Sequence, residues 1–463
     1  MGDDESIARF GYRQELRRTL GLGDLLVYGL IFMVPIAPFG IFGTVFSASG
    51  GMVALAYGVG MLAMILTANS YAQMVRAFPM AGSVYSYAGR GIAAPVGFLA
   101  GWAVLLDYVL VPCLLYLVAG VAMHAVLPAV PTVLWLVGFV LLNTVVNSFG
   151  IRLTAAVTRV FLVAEVVVLA LFLAVGLWAL SVGRGRGFDW GPVYDAATFS
   201  WPVVFAAVSV AMLSFLGFDG ISMLAEENRG GARQIGRAMT AALLLAGALF
   251  IVQTWVASLL VPEPAALLAG GDPDGTAFYD AARVAGGAWL ATLTAVATAL
   301  AWGVANALVA QVATSRLLYA MARDRQLPRF LARVSVRHAV PTNAIVAVAA
   351  VSLGLGVYMA RRPDGVALLS SLINFGAVLA FVVLHVSVVW HHRRGGRRPR
   401  FLTQVLLPLL GAGVLVAVAV HANVLAQRVG LAWLAVGVAV LAAMYATGRR
   451  PRLPGLSADR ESR

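Results

Sequence analysis

The 463-residue chain contains no lysine, a single cysteine and few charged residues of any kind. All 33 Lys and Arg positions are arginine, so no lysine side chain is available for any role. The lone Cys113 excludes an internal disulfide and a cysteine metal site. Charged residues make up 11% of the sequence, against roughly 25% in soluble domains, and hydrophobic residues make up 61%. This balance excludes a soluble domain and indicates an integral membrane protein.

Long apolar runs occupy the chain between Gly23 and Met444. A bilayer core about 30 Å thick requires roughly 20 helical residues per crossing. We predict twelve transmembrane helices, near 24–47, 51–74, 95–124, 131–149, 154–182, 201–226, 237–262, 283–318, 343–360, 365–390, 401–424 and 430–447. A cleaved signal peptide is the alternative for the first run. That run is longer than a signal core of about 7 to 15 residues, so we expect it to be retained.

The arginines are distributed unequally between the two predicted faces. Loops on the side of the N-terminus hold 27 of them and the remaining loops hold 6. By the positive-inside rule, both termini are predicted to be cytoplasmic, with the chain in the plasma (inner) membrane. Because the arginines are spread over many short loops, we expect the lipid bilayer as a partner and no nucleic acid.

Two of the predicted helices contain residues that interrupt helical geometry. The first holds Pro35 and Pro38, each of which removes a backbone donor and disfavours helical angles in the preceding residue. The sixth holds Asp219 between Gly217 and Gly220, and glycine costs about 1 kcal/mol in a helix relative to alanine. Paired breaks five helices apart are typical of transporters built from inverted repeats, with the substrate site at the breaks. The alternative is a simple kink in one helix and close packing in the other.

Four longer stretches have a recognisable pattern. They read "FPMAGSVYSYAGRGIAAPVGFLAGWAVLLDYVLVP" at 78–112, "SFLGFDGISMLAEENRGGARQIGRAM" at 214–239, "SRLLYAMARDRQLP" at 315–328 and "LINFGAVLAFVVLHVSVV" at 372–389. In this order they resemble the amino acid-polyamine-organocation permeases over nearly the whole chain. Within that family, "LLDY", "GFDGISMLAEE" and "INFGA" are most similar to the bacterial putrescine importers.

The resemblance implies an all-α, polytopic membrane fold forming one domain over 1–463. Its parts are a cytoplasmic segment (1–22), two inverted five-helix repeats (23–182 and 201–390), two further helices (401–447) and a cytoplasmic tail (448–463). It also implies transport of a small amine or amino acid driven by protons, with no cofactor and no metal.

Two features depart from the pattern of the amino-acid-transporting members. Those members carry a Gly-X-Gly type motif at the first break, whose amides hold the substrate carboxylate, whereas this chain reads "VPIAPFG". Some proton-coupled members use a lysine in the fifth helix, and this chain has none. The first departure weakens the expectation of amino-acid binding, and the second leaves the coupling residue open.

Carboxylates inside membrane helices are expensive and usually mark a pathway. Asp219 is the deepest of three in the sixth helix. If helix re-forms after the break, Asp219 and Glu226 share one face roughly 10 Å apart, a spacing suited to a diamine. Glu227 points elsewhere, toward a gate. The alternatives are that Asp219 only caps a half-helix and that the glutamates form surface ion pairs with Arg229 and Arg233.

Aromatic rings near the breaks suit an ammonium group, because a cation over a ring is stabilised by about 0.5 to 2 kcal/mol. Ordinary helix packing is the alternative for each ring. The predicted substrate contacts are Pro38, Phe39, Gly40, Tyr108, Phe215, Gly217, Phe218, Asp219 and Glu226. The predicted coupling or gating residues are Asp107, Glu165, Asp219 and Glu227.

We therefore expect a secondary active importer of a small organic cation, putrescine or a related polyamine, that works by proton-coupled alternating access. The alternatives are a proton-coupled amino acid permease of the same fold, an amine or amino acid antiporter, and a sensor that does not transport. An enzyme is not expected, because no nucleophile motif or metal-ligand spacing accompanies the carboxylates. Sodium coupling and the oligomeric state stay open.

Overall fold

We describe the fold from a computed structural model, which covers residues 20–79, 84–149, 152–225, 228–323, 327–335, 340–394 and 400–448. In this part of the chain every regular element is helical, apart from one backbone bridge between Leu20 and Asn228. Eleven helices are long and apolar enough to cross a bilayer, and the shorter Thr132–Ser148 adds a twelfth. The prediction of an all-α protein with twelve spans is confirmed.

The twelve spans follow one another along the chain with short connections. Their bounds are Leu22–Gly40, Val53–Ala77, Ala94–Val126, Thr132–Ser148, Arg159–Ser181, Trp201–Met223, Gly231–Leu259, Ala288–Tyr319, Thr342–Met359, Gly365–Arg394, Leu402–His421 and Val424–Ala446. The third and tenth spans are the most buried, and the last two expose most of their surface. The third and tenth therefore form the centre of the bundle, and the last two lie at its edge, where lipid would cover them.

Besides Phe42–Ala48, which continues the first span, and the 3₁₀ turn Arg329–Ala332, three short helices lie outside these spans, at Val84–Gly91, Pro264–Gly270 and Ala277–Gly286. Pro264–Gly270 lies in the connection between the predicted seventh and eighth helices, and Ala277–Gly286 begins in that connection and overlaps the predicted start of the eighth. The twelfth span also begins at Val424, six residues before the predicted start. Here Asn423 caps the helix with its side chain, accepting from the amides of Leu425 and Ala426.

The first span is broken where its prolines lie. Helix Leu22–Met33 ends at Val34, whose φ of 54° is the one positive value among the described non-glycine residues. A β-branched residue there is strained by about 1–3 kcal/mol. A 3₁₀ turn follows at Ala37–Gly40, and helix resumes at Phe42–Ala48. The first span is thus two separate helices joined by non-helical backbone and not one smoothly kinked helix.

The sixth span is broken around its glycines. Helix Trp201–Ala211 tightens into a 3₁₀ turn at Met212–Phe215, and helix returns only for Gly220–Met223. Gly217 has a φ of 103°, and a Cβ there would overlap the ring of Phe32 in the first span. The two breaks therefore cross at close range, and only glycine combines this backbone angle with this approach. Both predicted breaks are confirmed.

Candidate functional site

A small cavity of about 60 Å³ lies where the two breaks meet the third and eighth spans. Backbone groups without helical hydrogen bonds are tolerated at membrane depth only inside protein or along a cavity. The position of this cavity therefore agrees with the position of the two breaks. Its lining residues are Phe32, Met33, Ala37, Asp107, Tyr108, Val111, Leu114, Leu115, Leu213, Ser214, Leu216, Gly217, Asp219, Trp302, Asn306, Ala310, Ala313 and Thr314.

Asp219 lies on the broken sixth span and is half-buried, because it faces the cavity. It occupies the N-cap position of the short helix that begins at Gly220, but its side chain makes no capping hydrogen bond. Instead its carboxylate accepts a hydrogen bond of 3.4 Å from the hydroxyl of Tyr71. Capping alone therefore does not explain Asp219, since its carboxylate also accepts from a side chain of the second span.

Tyr71, on the second span, is fully buried. Its ring packs edge-on against Tyr87, Phe218 and Phe381. These contacts hold the hydroxyl toward Asp219. Tyr71 was not among the predicted site residues, because a tyrosine in an apolar helix carries no signal of its partner.

The third span supplies a second carboxylate to the same cavity. Asp107 is buried and lies close enough to Asp219 for the two charges to repel. Its neighbour Tyr108 is half-buried and also lines the cavity. The hydroxyl of Thr314 donates a 2.6 Å hydrogen bond to the backbone oxygen of Tyr108, which ties the eighth span to the third at this point.

No arginine or histidine is found among the described residues that line the cavity. Apart from Asp107 and Asp219, its polar side chains are the neutral Tyr108, Ser214, Trp302, Asn306 and Thr314. The rest of the wall is apolar. Two carboxylates thus share an apolar pocket without a protein cation, an arrangement in which a ligand cation would be strongly favoured.

The eighth span contributes through a π segment at Ala301–Asn306. Such segments interrupt α-helices most often at functional sites. Trp302 and Asn306 from this segment line the cavity, and the indole Nε1 of Trp302 has no hydrogen-bond partner among the described residues. Neither residue was predicted, because the stretch reads as an ordinary apolar helix in the sequence.

Four predicted contact residues lie beside the breaks but outside the cavity lining. Phe39 stacks on Phe278 with ring centroids 3.9 Å apart, and Pro38 is buried next to it. Phe215 packs edge-on against Phe250, and Phe218 packs against Tyr71. These side chains pack against neighbouring aromatic rings and support the breaks on the side away from the cavity. Of the predicted contacts, Gly217, Asp219 and Tyr108 line it, together with the predicted coupling residue Asp107.

The remaining predicted carboxylates are distributed differently. Glu165, on the fifth span, is buried and does not line the cavity, and its Oε2 has no hydrogen-bond partner among the described residues. Glu226 and Glu227 lie outside the described residues. The regular helix that follows the break ends at Met223, and the roles predicted for these two glutamates stay predictions.

A larger cavity of about 610 Å³ lies between the loops that the arginine count predicts to be extracellular. Gly40, another predicted contact, lines this outer cavity and not the inner one. Trp302, which lines the inner cavity, packs against Gly40, as does Val118. These contacts separate the two cavities at the first break.

Asp272 lies on the wall of the outer cavity, in the loop between the seventh and eighth spans. Burial raises the pKa of its carboxyl from 3.8 to about 6, opposed by the amides of Thr276 and Ala277, which donate to it. The nearby Asp274 and Asp280 raise that pKa further. The carboxylate also presses against Gly43 of the first span, where a Cβ would overlap it.

Comparison with known proteins now identifies the chain. The profile of the amino acid permease family matches residues 25–446. The chain belongs to this family. The resemblance inferred from the sequence motifs is thereby confirmed, and the protein is a multi-pass membrane transporter.

Relatives of this permease include proteins named for polyamine transport and for amino acid transport. It is 33% identical over 448 residues to the low-affinity putrescine importer PlaP of Escherichia coli, covering 95% of this chain and 96% of that protein. It is 31% identical over 443 residues to an uncharacterized transporter of Mycobacterium tuberculosis, covering 95% and 94%. It is 25% identical over 414 residues to the branched-chain amino acid permease BcaP of Bacillus subtilis, covering 85% of each.

Proposed function

We propose that this permease imports putrescine or a closely related small polyamine by proton-coupled alternating access. The observation that carries the proposal is the pair of carboxylates, Asp107 and Asp219, in a cavity whose described lining has no cation. A diamine can pair one ammonium group with each carboxylate, and its apolar chain can contact the apolar wall of the cavity between them. The likeness to a putrescine importer over most of both chains supports the same substrate class.

The backbone at the first break supports an amine over an amino acid. An amino acid needs free amides or a cation for its carboxylate, and the amides of Ala37, Phe39 and Ile41 all donate to carbonyls of the same break. Asp107 and Asp219 would also repel that carboxylate. Amino acid transport remains the second candidate, favoured by the family as a whole and by the likeness to a branched-chain amino acid permease.

Proton coupling is proposed from the buried carboxyl groups. Ionisable residues within membrane helices commonly serve as proton relays, and this chain has Asp107 and Asp219 at the cavity and Glu165 away from it. Glu165 is the group best suited to carry a proton without the substrate, because it is buried outside the cavity and its Oε2 lacks a partner in the described structure. The carboxylates at the cavity would exchange protons for substrate ammonium groups.

Uptake into proteoliposomes tests the proposal. We expect labelled putrescine to accumulate under an inwardly directed proton gradient, and unlabelled amino acids to compete poorly. Collapse of the gradient with an uncoupler should abolish accumulation. Accumulation of a labelled amino acid that putrescine neither replaces nor inhibits would overturn the substrate, and accumulation driven by sodium at equal pH would overturn the coupling ion.

A further inference from the structure

Three irregular backbone segments border the substrate cavity, and each receives a hydrogen bond from a buried carboxamide on a neighbouring span. We propose that these carboxamides, Gln253, Asn374 and Asn143, are positioning residues that set the shape of the cavity. None of the three lines the cavity, so their effect on the substrate would pass through the backbone they hold.

Gln253, on the seventh span, holds the first break. Its Nε2 donates to the backbone oxygen of Pro35 at 3.0 Å. That oxygen accepts no hydrogen bond from the following backbone, because Pro38 has no N–H and the amide of Phe39 donates to the oxygen of Ile36 instead. Ala37, two residues beyond the bonded carbonyl, lines the cavity.

Asn374, on the tenth span, holds the sixth break. Its Nδ2 donates to the backbone oxygens of Ser209 and Val210 at 2.7 and 3.2 Å. These two residues belong to the last turn of helix Trp201–Ala211, where carbonyls lack the regular partners of an α-helix; the oxygen of Val210 also accepts from the amide of Met212. Leu213 and Ser214 follow within one turn and line the cavity.

Asn143, on the fourth span, holds the π segment of the eighth. Its Nδ2 donates to the backbone oxygen of Gly303 at 2.6 Å. Gly303 lies between Trp302 and Asn306, the two residues of this segment that line the cavity. The wider turn of a π segment displaces its carbonyls from regular helical positions. The hydrogen bond from Asn143 therefore fixes the segment and with it the orientation of Trp302 and Asn306.

The hydrogen bonding of these side chains argues against general polar packing between helices. The carboxamide oxygens of Gln253 and Asn374 accept no hydrogen bond from any described residue. The donor end of Asn374 serves only carbonyls at the sixth break, and that of Gln253 serves Pro35 at the first break and Leu249 in its own helix. Both donor ends therefore reach carbonyls that a broken helix leaves without regular partners.

Asn69 provides a matched control within the same chain. Its Nδ2 donates at 3.0 Å to the backbone oxygen of Thr403, which lies in the second π segment, at Leu402–Leu406. The donor group and the kind of acceptor are the same, although Asn69 is half-buried where the other three are buried. This segment belongs to the eleventh span and borders neither the inner nor the outer cavity. Loss of this bond should affect stability without affecting substrate recognition.

The test compares Asn374→Leu, Gln253→Leu and Asn143→Leu with Asn69→Leu in the full chain, reconstituted in proteoliposomes. We expect the three cavity variants to raise the KM for putrescine about ten-fold, the scale of one lost hydrogen bond to a buried group, with a smaller change in kcat. They should also discriminate less between putrescine and the diamine one methylene longer. Asn69→Leu should lower the unfolding temperature similarly and leave KM unchanged.

The inference fails if the three variants keep the wild-type KM and chain-length preference, or if Asn69→Leu changes KM as much as they do. Because this readout rests on the proposed substrate, a second one uses no substrate. In a Cys113→Ala background, a cysteine placed at Leu213 is labelled with a small cationic thiol reagent. Asn374→Leu should change the labelling rate and Asn69→Leu should not; equal rates would refute positioning even if putrescine proves not to be carried.

Discussion

Replacing Asp219 by asparagine removes one charge from the cavity and keeps the shape of the side chain. Truncating one partner of a buried, hydrogen-bonded charge pair costs about 2–5 kcal/mol, and ~1.4 kcal/mol corresponds to a factor of ten. The lower part of that range applies, because Asp219 is half-buried and Asp107 remains to attract the substrate. We therefore expect kcat/KM for putrescine uptake to fall about 30- to 100-fold.

The assay is initial-rate uptake of labelled putrescine into proteoliposomes, with protein amount and orientation matched between variants. Tyr71→Phe is the control, because it keeps the ring contacts of Tyr71 and removes only a hydroxyl whose bond to Asp219 is long, at 3.4 Å. Its effect should be less than about three-fold. Asp219→Asn uptake within about two-fold of wild type would refute the assignment of Asp219 to the substrate.

A companion measurement separates the two carboxylates. If Asp107 and Asp219 each meet one ammonium, a four-carbon monoamine should lose one of the two charge pairs. Wild-type protein should therefore prefer putrescine over the monoamine, and Asp107→Asn should reduce that preference. An unchanged preference would mean that Asp107 does not contact the second ammonium.

Three further predictions concern sites outside the cavity. The pKa of Asp272 is raised from 3.8 to about 6. The stabilisation of helix 277–286 by this residue should therefore be complete below about pH 4 and be lost as pH rises through about 6. Amide exchange should show this pH dependence in wild type and not in Asp272→Asn. Trp433→Phe keeps an aromatic ring stacked on Trp102 but loses the 2.7 Å hydrogen bond to the backbone oxygen of Trp102. The free energy of unfolding measured by chemical denaturation should fall by about 1 kcal/mol. An unchanged free energy of unfolding would mean that this hydrogen bond does not contribute to stability. Glu165→Gln should keep putrescine counterflow and lose accumulation under a proton gradient, whereas retained accumulation would exclude Glu165 as the coupling group.

Much of the fold could be predicted because the bilayer constrains it so strongly. Each span must be apolar and about 20 residues long. The prolines and glycines in two of these spans disfavour regular helical geometry. Pro35, Pro38, Gly217 and Gly220 therefore marked both breaks correctly. The short helices at Pro264–Gly270 and Ala277–Gly286 were missed, because outside the membrane neither length nor hydropathy constrains the chain in the same way.

The site was predicted less completely than the fold. Asp107, Tyr108, Gly217 and Asp219 line one cavity, and their contact with substrate or proton stays a prediction. The breaks also made Phe39, Phe215 and Phe218 candidates, and there the prediction of substrate contact finds no support in the cavity lining. Which way a ring points from a 3₁₀ turn depends on backbone angles that no local pattern specifies.

The sequence by itself determined that this protein crosses a membrane twelve times, that its first and sixth spans are broken and that carboxylates lie at membrane depth. Hydrophobicity, chain stiffness and charge are local properties, so they can be read along the chain. Only the tertiary structure decided that Asp107 faces Asp219, that Trp302 and Asn306 complete the cavity, and that Gln253, Asn374 and Asn143 hold its irregular walls. These contacts join residues from different spans, and their partners follow from how the helices cross rather than from the order of the residues.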